Sequence, residues 1–192
     1  MKIVVHVTHG KSFVFEQPDP VEAGGILGGV HPNRLFAQPQ IIIQGTTSTS
    51  GFATPAVEAV EFHTEVEIEW LKHGGPGLLT SVDRETFAAA LAERKGQLAA
   101  LRNKLAPGDR IFGQGEMVMR SDRRFYLHFE SVVGGQLDMR HNLSAFLEAR
   151  SMAAMLPEGG ALLINPANIV RWTLYPGPPD VPRNAWPASR IA

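Results

Sequence analysis

The sequence predicts an α+β protein with two mostly antiparallel β-rich lobes and one central amphipathic helix. Hydrophobic and polar residues alternate before residue 80 and again after residue 108, and one segment between them has a helical period. We therefore expect an N-terminal lobe (1–80), a connecting helix (81–107), a C-terminal lobe (108–176) and a Pro-rich tail (177–192). The helix would cover a core shared by the lobes.

The N-terminal lobe is predicted to begin with a hairpin. Hydrophobic residues alternate over 3–7 and 13–15, on either side of a turn at His9-Gly10-Lys11. Proline and glycine dominate residues 18–40, which predicts a long loop. Residues 57–70 then predict one long strand, with alternate apolar side chains on a single face.

The central helix is predicted over Asp83–Leu105. Asp83 is suited to cap its first turn, and Pro107-Gly108 would end it. One apolar seam follows spacings of four and three, with Arg94 filling one gap; its members are Phe87, Leu91, Leu98, Leu101 and Leu105. This seam either packs on the β lobes or faces a second copy of the chain.

The C-terminal lobe is predicted to repeat the strand-turn-strand pattern. Residues 110–133 contain a turn at Ser121-Asp122-Arg123, and 161–164 and 169–175 predict a last pair of strands. The tail carries Trp186 among four prolines and is expected to be extended.

The spacing of the two halves raises the hypothesis of an internal duplication. Ile3–Glu16 can be laid on Met117–Glu130 without a gap. The separation of Phe36 from Val60 also equals that of Phe146 from Val170. Few identities accompany this spacing, and two unrelated β-rich segments can share it, so both explanations stay open.

Composition narrows the class of partner. The 192 residues have a formal net charge of −1 and no cysteine. Such a chain has no overall charge that would attract nucleic acid or an anionic membrane, and it has no thiolate chemistry. The N-terminus lacks the apolar run of a signal peptide, and no window is long enough for a membrane span. We therefore expect a cytoplasmic protein.

Histidines and carboxylates suggest a metal site as one alternative. Glu61, His63, Glu65, Glu67 and Glu69 would alternate along one predicted strand. Neighbours two apart on a strand are separated by about 7 Å, so only two of them would reach one ion, and a solvated face is the favoured interpretation. The candidate ligands for a metal-dependent hydrolase are His6, Glu61, His63, Glu65 and His128.

A short basic and aromatic patch suggests a second alternative. Arg120, Arg123, Arg124 and Tyr126 combine cations with an aromatic ring, as single-stranded RNA sites do. The patch is short and the net charge is slightly negative, so a hairpin turn with solvated arginines is the favoured interpretation.

The leading functional hypothesis is a non-enzymatic, self-associating module. No serine or other side chain has a local catalytic signature, so no catalytic residue and no cofactor is assigned. The predicted partner is a second copy or another protein, contacted through the helix seam, the Gly/Pro-rich segment or the tail.

Overall fold

One large, mostly antiparallel sheet organises the computed structural model, which describes residues 1–72, 79–94, 106–134, 149–177 and 185–186. The strands are β1 (Lys2–Val7), β2 (Ser12–Glu16), β3 (Gln40–Gln44), β4 (Thr49–Ala53), β5 (Val57–His63), β6 (Leu79–Val82), β7 (Arg110–Met119), β8 (Arg124–Val132), β9 (Met152–Met155), β10 (Gly160–Ile164) and β11 (Ile169–Tyr175). The helices are α1 (Pro20–Gly29), α2 (Pro32–Leu35), α3 (Glu69–Lys72) and α4 (Arg84–Arg94). The predicted strand-rich α+β class is confirmed.

Nine strands form a single sheet in the order β11-β7-β8-β6-β9-β10-β5-β1-β2, and β3 and β4 form a separate hairpin. All neighbours in the large sheet are antiparallel except β6 and β9. Because β5 pairs with β10, strands of both predicted lobes belong to the same sheet. Two separate lobes around one helix are therefore not confirmed.

Two hydrophobic cores lie on opposite faces of the sheet at β5 and β10. One face, including Val5 and Leu163, packs against Leu27 of α1 and the β3–β4 hairpin. The other face, including Leu162, packs against Met117 and Leu127 of the β7–β8 hairpin. The sheet thus curls so that β7 and β8 cover the second face of β9 and β10.

The predicted loop over residues 18–40 is wrong, because this segment contains α1 and α2. Asp19 caps α1 by accepting a hydrogen bond from the Val21 amide at 2.8 Å, and Pro20 occupies the first turn. Ala23 and Leu27, one helical turn apart, are its buried residues. Burial of this narrow stripe offsets the low helix propensity of the four glycines.

The predicted long strand over 57–70 is also wrong, because β5 ends at His63 and α3 begins at Glu69. The Thr64 hydroxyl oxygen accepts a hydrogen bond from the Val66 amide at 3.0 Å. This local bond turns the backbone away from the sheet. Glu65, Glu67 and Glu69 therefore do not continue the polar face of β5.

Four helices occur in the described ranges instead of one central helix. Helix α4 covers the first part of the predicted helix, and the Asp83 carboxylate accepts from the Thr86 amide at 2.7 Å as a cap. Phe87 is buried and its ring lies 4.9 Å from that of Tyr126. Leu98, Leu101 and Leu105 lie outside the described residues. No helix in the described ranges has the length and apolar character needed to cross a membrane.

The two halves of the described chain follow the same order of strands. Each half contains a first hairpin, β1–β2 or β7–β8, and later a second hairpin, β3–β4 or β9–β10. A 3-10 turn then leads into β5 or β11, and that strand pairs antiparallel with the first strand of its own half.

Local irregularities recur at matching places in the two halves. The pairing of β5 with β1 passes over Glu58, and the pairing of β11 with β7 passes over Val170, so each last strand carries a one-residue bulge. A backbone hydrogen bond of 3.0 Å joins each first hairpin to its 3-10 turn. These bonds are Thr8 N–H to Ala56 O and Arg120 N–H to Asn168 O.

Candidate functional site

The structure brings together three of the five predicted metal ligands, His6, Glu61 and His63. In the antiparallel pairing of β1 with β5, His6 lies opposite Ala59, which is two residues from Glu61, so both side chains project from one face. The Nε2 atom of His6 lies 2.9 Å from Glu61 Oε1, and the Nε2 atom of His63 lies 2.7 Å from Glu61 Oε2. One carboxylate therefore joins the two imidazoles.

Sequence reasoning missed a fourth member, Ser12. The β1–β2 hairpin places Ser12 directly opposite His6, and the Ser12 hydroxyl oxygen lies 2.8 Å from His6 Nδ1. Ser12 is exposed, whereas His6 is buried with its ring 6.0 Å from that of Phe125. The available signal was the predicted hairpin itself, because its register pairs these two positions.

Arg123 of the β7–β8 turn completes this cluster, which we call the Ser12 network: Ser12, His6, Glu61, His63 and Arg123. The NH2 atom of Arg123 donates to the Ser12 hydroxyl at 3.0 Å and to the Gly10 carbonyl at 3.2 Å. The network thus joins the β7–β8 turn to the β1–β2 turn, more than 100 residues apart in the chain.

The ionised state of Glu61 determines which nitrogen of His6 carries a proton. Burial alone would raise the pKa of Glu61, but the hydrogen bonds and positive charges of His6 and His63 outweigh it and lower the pKa below its ordinary value of 4.5. The ionised carboxylate accepts from Nε2–H of His6. When His6 is neutral and donates from Nε2, its lone pair is on Nδ1, which faces the Ser12 hydroxyl.

Replacing Glu61 with Gln is expected to remove a pH-dependent part of the stability. The pKa is lower in the folded than in the unfolded chain, so the ionised side chain stabilises the fold above pH 4.5. That contribution is lost as the pH falls below 4.5 and through the folded pKa. Urea unfolding from neutral to acid pH should show the difference between wild type and Glu61→Gln shrinking. A difference that stays constant would contradict the assignment.

A fully buried carboxylate, Glu58, lies beside the network at the bulge of β5. It accepts hydrogen bonds from the backbone amide of Ser121 at 2.8 Å and from the Ser121 hydroxyl at 2.6 Å. The Nε atom of Arg123 lies 4.0 Å from it. Because buried carboxylates need such partners, Glu58 fixes the β7–β8 turn against β5.

The other two predicted ligands lie elsewhere. Glu65 is exposed beyond the end of β5, and His128 is on β8, where its Nε2 lies 3.3 Å from the Gln114 side-chain nitrogen. Among the residues that the structure describes, no three His, Asp or Glu side chains are grouped so that they could hold a metal ion. The metal assignment stays a prediction.

His128 lines a cavity of about 200 Å³ between α4, β7 and β8. Burial lowers the pKa of His128, and the positive charge of Arg94 lowers it further. Gln114 is 2% exposed, and its Oε1 atom has no hydrogen-bond partner among the described residues. A Cβ atom at position 113 would overlap the ring of Phe129, so any larger residue there would force that ring to shift.

The arginines of the predicted RNA-binding patch have contacts within the chain. Arg124 forms an ion pair with Glu116 at 2.7 Å, and Arg120 donates to the Ala167 carbonyl at 3.3 Å. Arg123 belongs to the Ser12 network, and the Tyr126 ring packs on Phe87. The basic residues therefore stabilise hairpin turns, and the aromatic ring faces α4.

Four strands have an edge that pairs with no described strand, namely β2, β3, β4 and β11. Among the described strands, β11 pairs with β7 and β4 pairs with β3. The β3–β4 turn is closed by a bond from the Gly45 amide to the Ser48 carbonyl at 2.8 Å. Because the sides of a strand alternate, the N–H groups of Thr49, Gly51 and Ala53 point away from β3.

Comparisons with protein-family models, with curated proteins and with solved structures found no match for this chain.

Proposed function

We propose that this protein is a self-associating module in which β4 of one copy pairs antiparallel with β11 of the next. The observation that carries the proposal is the pairing of β10 with β5 inside one chain. Strand β10 is the fourth strand of the second half, and β5 is the last strand of the first half. The equivalent strands with the halves exchanged are β4 and β11, and we propose that these two strands pair between copies in the same way.

The proposal includes the hypothesis that the two halves arose by duplication. Support comes from the shared order of strands, from the bulges at Glu58 and Val170, and from the matching bonds after the first hairpins. Gly10 and Asp122 also have positive φ angles, 74° and 65°, at the same step of the two turns. Independent halves would have to acquire each of these features separately.

The chemistry of the open edges suits pairing. Edge strands with unpaired N–H and C=O groups add further strands readily unless charge, proline or a cover prevents it. Strand β4 has neither charge nor proline. The one charged residue of β11, Arg171, forms an ion pair with Glu116 at 3.3 Å, and Val170 of β11 is 61% exposed. Inside the chain, the backbone N–H of Asn165 donates to the backbone carbonyl of Glu58 at 2.8 Å. The equivalent bond between copies runs from the Ala53 amide to the Val170 carbonyl.

The internal pairing also specifies the register between copies. Leu162 lies opposite Glu61, and Ile164 lies opposite Ala59. When the bulge residue Glu58 is aligned with the bulge residue Val170, the equivalent pairs between copies are Ser50 with Thr173 and Phe52 with Arg171. Because the two edges differ, the contact is heterologous, so successive copies close into a ring if the rotation permits.

Engineered cysteines test this register, since the natural chain contains none. The variant Ser50→Cys/Thr173→Cys is expected to form disulfide-linked oligomers on mild oxidation. The two positions belong to a pair that is not hydrogen-bonded, in which the Cα atoms are about 4.5 Å apart and a disulfide can form. Non-reducing electrophoresis would detect the oligomers, and mass spectrometry would identify the disulfide-linked peptides that contain positions 50 and 173 of different copies.

The matched control is Ser48→Cys/Thr173→Cys, which keeps the same hairpin but shifts the register. It should cross-link far less. Equal cross-linking in both variants, or none in either when light scattering finds only monomer, would refute the proposed pairing.

A further inference from the structure

We infer that the Ser12 network is a metal-free esterase site in which Ser12 is the nucleophile and His6 is the general base. This departs from the expectation of a non-enzymatic module, and it is independent of self-association because all five side chains belong to one copy. The proposal rests on the contacts of Ser12 and not on any local sequence signature.

The geometry is that of an activated nucleophile. The Ser12 hydroxyl is 2.8 Å from His6 Nδ1, and His6 is held from its other nitrogen by Glu61 at 2.9 Å. A nucleophile within hydrogen-bond reach of a base, with the base oriented by a third group, is the arrangement on which serine catalysis depends. His63 holds the second oxygen of Glu61, so the carboxylate cannot rotate away from His6.

Arg123 supplies the positive charge that such a site needs. Its NH2 atom already lies 3.0 Å from the Ser12 oxygen. When Ser12 attacks a carbonyl carbon, the carbonyl oxygen becomes negatively charged close to that guanidinium. The Arg123 side chain is only 25% exposed, which strengthens this interaction relative to water.

Access and apolar surface define the class of substrate. Ser12 is exposed and lies on the edge strand β2, so a substrate reaches it without opening the fold. Val14 projects from the same face two residues along β2 and is 58% exposed, next to Val4 of β1. We expect a carboxylic ester with a short apolar acyl group that rests on Val14.

The chemical steps balance with water as the only co-reactant. His6 Nδ1 takes the hydroxyl proton as the Ser12 oxygen bonds to the acyl carbon, and the ester C–O bond breaks as His6 returns that proton to the departing alcohol. Water then attacks the acyl carbon, giving a proton to His6. The bond between the acyl carbon and the Ser12 oxygen breaks as His6 passes that proton to the Ser12 oxygen, so the carboxylic acid is released and the Ser12 hydroxyl is restored.

A fluorophosphonate probe tests the nucleophile directly, because Ser12 would displace fluoride from phosphorus and keep the phosphonate. Mass spectrometry of the wild-type chain should place the adduct on the peptide containing Ser12. Ser12→Ala should lose both the adduct and the hydrolysis of p-nitrophenyl butyrate. His6→Gln should lower both rates by a factor of about 100 or more, the usual contribution of a general base.

Ser48→Ala is the matched control, because Ser48 is an exposed serine in the β3–β4 turn. It should label and hydrolyse like the wild type. Circular dichroism would establish that each variant is folded. A folded wild-type chain that is not labelled at Ser12, or a Ser12→Ala variant that hydrolyses the ester at the wild-type rate, would overturn the inference.

Discussion

If β4 pairs with β11 of a second copy as proposed, the variant Gly51→Pro is expected to convert the assembly into monomers without unfolding the chain. The Gly51 amide points away from β3, so proline at this position removes no hydrogen bond of the β3–β4 hairpin. The same amide would donate to β11 of a second copy. Loss of that bond costs about 1 kcal/mol, and the proline ring also prevents the strands from approaching.

Together these effects should raise the dissociation constant of the contact at least about tenfold, since about 1.4 kcal/mol corresponds to a factor of ten. Analytical ultracentrifugation over a concentration series would measure this. The matched control is Gly51→Ala, which keeps the amide. Its Cβ atom would meet only the flexible end of Gln40, at 3.3 Å, so its assembly should resemble that of the wild type.

The opposite result would be equally clear. If Gly51→Pro assembles as tightly as Gly51→Ala, then the β4 edge does not carry the contact, even if the protein is an oligomer. Circular dichroism of the monomeric variant separates loss of assembly from loss of fold. An unfolded Gly51→Pro variant would contradict the register of the β3–β4 hairpin, in which this amide has no partner on β3.

Local patterns predicted two of the four hairpins, β1–β2 and β7–β8, because their information lies within a few residues. Alternation on both sides of the His9-Gly10-Lys11 turn is enough to define β1 and β2. The same register already pairs His6 with Ser12. The contact between His6 and Ser12, which was not predicted, therefore follows from the predicted β1–β2 hairpin.

Helix α1 was missed although its start signal is present. Asp19-Pro20 is a cap followed by a proline at the first helical position, but the glycines of this segment led to the prediction of a loop. The deciding force is tertiary, since Ala23 and Leu27 are buried and Leu27 packs on the core face of the sheet. Propensity within the segment contains no information about that contact.

The pairing of β5 with both β1 and β10 could not be predicted from local patterns. It joins segments that are 55 or about 100 residues apart, and only packing of the whole sheet selects it. For this reason the contact between His6 and Glu61 was not predicted, although both residues were singled out. The gapless overlay of the halves fails for a related reason. It aligns Thr8 with Asp122, whereas the hydrogen bonds after the hairpins align Thr8 with Arg120.

The variant Glu58→Ala is expected to cause the largest loss of stability among single substitutions at the network. Its carboxylate is fully buried and accepts two hydrogen bonds from Ser121, next to Arg123. Removing it leaves the Ser121 amide and hydroxyl without their partner and the Arg123 charge without compensation. Loss of one member of a buried charged cluster costs about 3–5 kcal/mol.

Glu130→Ala is the matched control, because Glu130 pairs with Arg110 at 2.8 Å near the surface, with the Glu130 side chain 38% exposed. Exposed pairs contribute about 0–1 kcal/mol, so the urea midpoint of this variant should stay near that of the wild type. The urea midpoint of Glu58→Gln should fall between those of the other two variants, since its amide oxygen still accepts from Ser121 but carries no charge.

Equal urea midpoints for Glu58→Ala and Glu130→Ala would mean that the β7–β8 turn is held by its own backbone bonds and not by Glu58. One such bond runs from Met119 N–H to the Arg123 carbonyl. The measured order of the three midpoints therefore shows how much Glu58 contributes to holding the β7–β8 turn against β5.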